Sequence, residues 1–419
     1  MATLAIAGGT PVRSRPFPDP YRGEGWPIYG ECELQAVKEV VESRLWSSAP
    51  YLYADNPEAS RVRQFEIQWA QYNGVKHAIA VGHGTDALIL AFRAAGVKAG
   101  DEVILPPGWL TVNAIVALGA VPVFVDIDPE TLQMDADQIE TAITGRTRAI
   151  CPIYASYPPD LDRLMDIAGR HGLKIVADSV WAQGTEWRGR KAAAVGHFGT
   201  FSAQELKPLP AGEGGSVITD DDAAGELLYV LHNDGRGLGQ EGGQYIAQGW
   251  NHRMSEFQAA ILLCQLARLD EHIEHRRRNA EALEHGLEAI GGIRFPPKDP
   301  RITRQNYGSL HLRYEARYFA DVPVALFSRA LNAEGIPLQG GGRARLPWEA
   351  PVFAQKRFIW DHLNGVDYAR ARLPGHKAAA GRWLSAHFSL VMGPQKDMDD
   401  ILEAIRKIEA NIGELKALQ

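Results

Sequence analysis

The sequence predicts an α/β fold: a three-layer α/β/α body around a mostly parallel sheet, followed by a smaller C-terminal α+β domain. Three observations carry that prediction. Strand-like and helix-like segments alternate from His77 to Asp178, the strand runs are rich in Val and Ile without polar alternation, and the pattern changes after Gly215. Strands that lack alternation are buried on both faces, as a parallel sheet between helical layers requires.

Each element follows in order. HAIAV at 77–81 reads as a strand, and TDALILAFRAAG at 85–96 as an amphipathic helix ended by glycine. The strand EVILP, the helical TVNAIVALG and the strand VPVFVDID come next, then DADQIETAI. AICPIY, the helix DLDRLMDIAGRHG and the strand KIVAD, ending at Asp178, complete the alternation. GTFSA and SVITDD read as two further strands, and 221–232 as a helix. The Gly-rich 234–243 reads as a loop. Helical periodicity is then sustained over 255–287, about nine turns at 3.6 residues each. Its second half is charged, as expected of a helix leaving one core to enter another. The implied division is an N-terminal arm at 1–25, a large domain at 26–265, and the connecting helix with the small domain at 266–419.

Composition bounds the function. The chain has 419 residues and a net charge of −7, which leaves no basic stripe for nucleic acid. Cys32, Cys151 and Cys264 are far apart and unpatterned, so neither a metal cluster nor a disulfide framework is expected, in keeping with a reducing compartment. The start lacks a basic n-region, and the longest apolar stretch, at 114–125, falls short of the roughly 18–20 residues that span a bilayer. A soluble cytoplasmic protein without metal or membrane partners is the expectation.

Three segments carry chemistry. Gly82-His83-Gly84-Thr85-Asp86-Ala87 matches the G-x-G-x-x-A form of a dinucleotide fingerprint between a strand and a helix. The second strand ends in Leu105-Pro106-Pro107, however, where that reading needs an acidic residue. What remains is a helix N-terminus whose free N–H groups can hold a phosphate, or a plain tight turn. KIVAD delivers Asp178 to the carboxyl end of its strand, either as a ligand-edge carboxylate or as a cap. Lys207 follows across one more strand, inside the punctuated stretch FSAQELKPLPAGEGG. A phosphate cradle, a carboxylate and a lysine amine on one sheet edge suit pyridoxal 5′-phosphate. The amine condenses with its aldehyde, the acid keeps the ring nitrogen protonated, and the helix end neutralises the phosphate.

FSAQELKPLPAGEGGSVITDD resembles the lysine segment of the DegT/StrS-type aminotransferases, a branch of the fold-type I PLP enzymes that aminate keto-sugars and keto-cyclitols. The likeness covers nearly the whole chain: LAIAGGTPVRSRPFP, GHGTDALILAFRAAGVKAGDEVILPP, VADSVWAQG, NHRMSEFQAAILLCQLARLDEH and MDDILEAIRKI all resemble family segments. The wording looks most like the branch of glutamine:scyllo-inosose aminotransferases and amino-hydroxybenzoate synthases. The resemblance implies that Lys207 is the Schiff-base lysine and Asp178 the partner of the pyridine nitrogen. Ser202 and the backbone at Gly84 and Thr85 would hold the phosphate. Asn251 would reach it from a second subunit, which implies a homodimer with shared active sites, an amino donor (glutamine or glutamate) and a keto acceptor.

The chain also departs from the family. The family's aromatic platform follows P-x-x-T-[W/F], whereas Pro106-Pro107-Gly108-Trp109-Leu110 puts Trp109 one place early; a core tryptophan is the competing reading. Val180 and Trp181 replace a small and a polar residue after Asp178, so an indole N–H stands where a His or Gln is usual. Ile153-Tyr154-Ala155-Ser156-Tyr157 replaces a strand that usually carries His and Gly. Arg236 and Arg253 are candidates for a donor carboxylate or for ordinary ion pairs, and Trp26 and Trp46 for an acceptor pocket. Amino transfer to a cyclitol or sugar-like ketone is the leading expectation. A PLP-dependent dehydratase or cyclase, and a non-catalytic PLP-binding regulator, are the alternatives.

Overall fold

A computed structural model describes residues 3–49, 56–154, 157–237, 244–341 and 346–419. Two helices, α1 (Glu31–Ser43) and α2 (Arg61–Asn73), precede β1 (His77–Val81), α3 (Gly84–Ala94), β2 (Glu102–Leu105), α4 (Trp109–Ala117) and β3 (Val121–Phe124). The short α5 (Ile139–Ala142), β4 (Thr147–Ile150), α6 (Leu161–His171) and β5 (Lys174–Asp178) follow. A small hairpin, β6 (Glu186–Trp187) and β7 (Arg190–Lys191), then leads to β8 (Phe198–Ser202), β9 (Gly215–Thr219) and α7 (Asp222–His232). Local chemistry sets the boundaries: Asp160 caps α6 through the Arg163 N–H, and Gly172 ends it in the left-handed region at φ 64°.

The seven-stranded sheet runs β1-β9-β8-β5-β4-β2-β3. Neighbours from β8 to β3 are parallel, while β9 runs antiparallel between β8 and β1. Every residue of β2 and of β9 is buried, so unalternated sequence and burial on both faces coincide here. Register brings the ends of β1, β5 and β8 together. Val81 of β1 and Ser202 of β8 both pair with Gly215 of β9, and Asp178 of β5 pairs with Thr200 of β8. The turn after β1 therefore lies beside the end of β8. Glycine makes that approach possible: a Cβ at 215 would lie 2.5 Å from the His83 carbonyl oxygen, and one at 84 would lie 2.6 Å from Ser202 Cβ.

Helix α8 (Glu256–Ile290) is capped by a reciprocal box between Ser255 and Gln258. At 1.5 Å per residue it is about 50 Å long. Ala259, Leu262, Leu269 and Ile273 pack with Trp69 and Phe201 of the large body. Ala280, Leu283 and Leu287 pack with Leu312, Leu384 and Ile401 in a second core. That core covers an antiparallel sheet ordered β10-β12-β14-β13, formed by β10 (Ile293–Arg294), β12 (Leu310–Tyr314), β13 (Gln339–Gly340) and β14 (Trp383–Ala386). Strand β11 (Ile302–Arg304) instead pairs with β6.

The N-terminal segment is stitched into the second core. Leu4 is fully buried there, and Glu334 accepts from the backbone N–H of Ala5 and Val12. Arg13 bridges Asp397 at 2.6 Å and Asp400 at 2.8 Å. Conversely, Trp348, Phe353 and Tyr368, late in the chain, pack around Phe124 of the large body. Among the described residues no helix is long and apolar enough to cross a membrane.

One expectation is corrected. Cys32 and Cys264 form a disulfide with their Cα atoms 6.0 Å apart, although the sequence suggested no such framework. Their separation of 232 residues hides the pair from any spacing argument. The pairing follows from α1 lying along α8, held by Gln265, which donates to Glu33 at 2.8 Å, and by the Arg268–Glu33 pair. Cysteine usage thus no longer argues for a reducing compartment. Cys32→Ser should lower stability to denaturant by about 2–4 kcal/mol relative to the oxidised protein. Urea unfolding, with a non-reducing peptide map of the 32–264 link, checks this.

Candidate active site

Asp178 stands at the carboxyl end of β5 and is only 4% exposed. One carboxylate oxygen accepts from the Thr111 hydroxyl at 2.6 Å, and the other from the Val180 N–H at 3.4 Å. Burial pushes its pKa up, opposed by the Thr111 hydrogen bond and by the charge of Lys207. Thr111 was not expected from the sequence. Its signal was a hydroxyl opening the largely apolar run TVNAIVALG, and α4, which begins at Trp109, carries it to the carboxylate. The Trp109 side chain lies outside the described residues, as do Ala155, Ser156 and 238–243 of the expected loop.

The punctuated stretch between β8 and β9 is a closed loop. At its base Ala203 N–H donates to Gly214 and Ala211 N–H to Ala203; nearer the tip, Glu205 N–H donates to Gly212 and Lys207 N–H to Gln204. Proline and glycine permit these reversals, and the loop turns the Lys207 side chain inward. Its Nζ sits 3.4 Å from the centroid of the Trp181 ring. Burial lowers the Lys207 pKa from the ordinary 10.5 to about 8, with Asp178 opposing. That shift corresponds to about 3 kcal/mol against the charged form. An ammonium on an indole face gains about 0.5–2 kcal/mol, so burial still wins and the free amine is accessible near neutral pH.

His387 completes the wall and was also missed; a lone histidine 180 residues downstream carries no spacing signal. Its Nε2–H donates to the Leu206 carbonyl at 2.8 Å, while Nδ1 accepts from the Ser389 hydroxyl at 2.9 Å. Burial, with the neighbouring charges of Lys207 and Arg276, lowers its pKa to about 4, so the ring is neutral. It meets Trp181 edge-on at 6.1 Å. Asn306 fixes the loop behind, donating to the carbonyls of Trp181 at 2.8 Å and Gln183 at 3.0 Å.

Gly84 and Thr85 form the first turn of α3, where His83 supplies no side-chain cap. Ser202 lies against Gly84. Uncapped N–H donors and a hydroxyl therefore meet at the same edge as Asp178 and Lys207. Asn251 is exposed on an extended segment beside that turn, where Gly82 N–H donates to the His252 carbonyl. Arg236 and Arg253 both turn to Asp234, at 3.0 and 2.6 Å, which is the ion-pair alternative. Trp26 is 1% exposed and packs edge-on against Phe388 and His272, so it is a core residue. Trp46 lies on the surface beside Phe257.

Residues 28–405 match the DegT/DnrJ/EryC1/StrS aminotransferase family. The chain belongs to that family. Among its relatives is the L-glutamine:2-deoxy-scyllo-inosose aminotransferase of Streptoalloteichus tenebrarius, 37% identical and matched over 99% of both chains. The L-glutamine:scyllo-inosose aminotransferase of Streptomyces griseus is 36% identical, also over 99% of both. Among solved structures, 3-amino-5-hydroxybenzoic acid synthase superposes with a TM-score of 0.75 at 28% identity, covering 93% of this chain and 99% of that one. DesI, determined in the presence of its TDP-sugar product, gives 0.80 at 28% identity over 99% and 98% of the two chains. This aminotransferase therefore has the fold-type I architecture that the sequence implied.

The lysine's environment is testable without any ligand. In the cofactor-free protein, acylation of Lys207 should rise through pH 8 and level off, whereas exposed lysines keep accelerating above pH 10; peptide mass spectrometry follows both. Because Asp178 raises the amine's pKa, Asp178→Asn should move the Lys207 midpoint below 8.

Proposed function

We propose that this aminotransferase uses pyridoxal 5′-phosphate at Lys207 to move the amino group of glutamine to the ketone of a cyclitol. The observation that carries the reading is the convergence of Lys207, Asp178, Ser202 and the uncapped start of α3 on one sheet edge. The names of the full-length relatives support glutamine as donor and an inosose-like ring as acceptor. The residues fit the cofactor group by group. Gly84 and Thr85 N–H and the Ser202 hydroxyl suit its phosphate, the Asp178 carboxylate its ring nitrogen, and the Lys207 amine its aldehyde.

When bound, the cofactor supplies an aldehyde that captures amines and a ring that absorbs an electron pair from the substrate carbon. The protein does the rest. Asp178, one oxygen fixed by Thr111, would hold the cofactor's ring nitrogen in its protonated form by charge. Lys207, with its pKa lowered to about 8, could take a proton from the substrate carbon and return it elsewhere, as a general base must. The neutral His387 holds the Leu206 carbonyl and so the lysine's backbone, without adding a second charge. Trp181 shields the amine from water.

A homodimer with shared sites belongs to the proposal. Asn251 faces outward next to Trp250, which is 45% exposed, and Leu110, 74% exposed, precedes Thr111 on α4. Apolar side chains flanking a site on the outside suit a second subunit. The second reading, a dehydratase or cyclase, draws on the likeness to 3-amino-5-hydroxybenzoic acid synthase. Absorbance separates the two. Protein loaded with the cofactor should lose its visible band on addition of glutamine and regain it with scyllo-inosose. Lys207→Ala should abolish both changes, and a band indifferent to glutamine would favour the second reading.

A further inference from the structure

A cavity of about 1090 Å³ opens beside Trp181 and His387, walled on its outer side by the N-terminal arm. The arm forms a closed turn there. The Asp19 carbonyl accepts from the N–H groups of Arg22 and Glu24, Asp19 Oδ1 accepts from Tyr21 N–H at 3.0 Å, and Glu24 accepts from Asp19 N–H at 3.0 Å. The turn is pinned on both sides. Phe17 is buried under the Arg13 guanidinium at 4.0 Å, and Trp26 is buried against Phe388. Tyr21 at its crest is nevertheless 72% exposed, with its ring edge-on to His387 at 6.2 Å. One line of contacts thus runs from Tyr21 through His387 and Trp181 to the Lys207 amine.

We propose that this turn is the acceptor-reading wall of the site, with Tyr21 as a specificity-determining residue for a neutral polyhydroxylated ring; the inference rests on the amino-transfer reading above. The lining chemistry selects that class. Aromatic faces of Tyr21 and Trp181 offer surfaces for the C–H face of a ring, while Ser385, Gln339 and Glu24 offer donors and acceptors for hydroxyls. Among the described lining residues the formal charges of Arg15 and Arg22 equal those of Asp19 and Glu24 in number, and burial lowers the His387 pKa to about 4. Arg22 is moreover drawn to Asp19 at 3.4 Å.

The test uses the loaded full-length enzyme and its Tyr21→Ala variant, which removes an exposed ring and no buried contact. Tyr21→Ala should raise KM for scyllo-inosose about tenfold, the effect falling on the acceptor step rather than on the glutamine-driven loss of the visible band. Saturation-transfer NMR with scyllo-inositol, which lacks a ketone, should show contact in the wild type and a matching loss in the variant. Unchanged KM and unchanged transfer would overturn the proposal, as would tighter binding of a nucleoside diphosphate sugar than of the cyclitol. If glutamine leaves the band untouched while scyllo-inositol still binds through Tyr21, amino transfer falls and the arm pocket stands.

Discussion

The electrostatic coupling of Asp178 and Lys207 is the constraint on which the rest of the site depends. Each group is buried enough for its charged form to be penalised, and each offsets part of the other's penalty. Alone, each would shift further toward its neutral form. Much of the surrounding structure secures their approach. Parallel pairing of β5 with β8 fixes the carboxylate, a closed loop fixes the amine, and the Thr111 hydroxyl occupies one carboxylate oxygen. The proposed amino transfer would need little further machinery, because an amine with a lowered pKa is already close to a usable base.

The second organising feature is α8. A single continuous helix contributes apolar side chains to both cores, so the large sheet and the small sheet are built on one rod. His387, which holds the lysine's backbone, comes from the small-domain side of that arrangement, and so does Asn306 behind Trp181. The edge that carries Asp178 and Lys207 therefore draws on both bodies: the large one supplies the two side chains, and the small one holds the backbone beside Lys207 and the Trp181 loop.

Much of this was legible in the sequence. Unalternated Val/Ile strands between amphipathic helices gave the layers, and strand-end position placed Asp178 and Gly84 on one edge. The crowding of Pro and Gly around Lys207 announced a reversal with an inward side chain. Other parts were illegible for physical reasons. The 32–264 disulfide and the His387–Leu206 bond join residues 232 and 181 apart, and only the packed helices bring them together. Thr111 was hidden because one hydroxyl in an apolar helix reads equally well as a core residue. Arg236 and Arg253 read from the sequence as carboxylate forks or as ordinary ion-pair partners, and only the fold decides for the second by turning both to Asp234.

The way the chain's first thirty or so residues are fastened has a mechanical consequence. Arg13 is locked to the helix Gln395–Ala410, and Cys32 is covalently fixed to α8, so the intervening stretch is a bridge suspended between two piers. A bridge cannot swing aside as a free flap does; it can only flex across its span. An acceptor of the proposed kind would then pass beneath or beside it, and the short span left between the buried Phe17 and Trp26 would bound how bulky a visitor can be. Shape filtering of this kind would operate before any polar group in the interior has made contact.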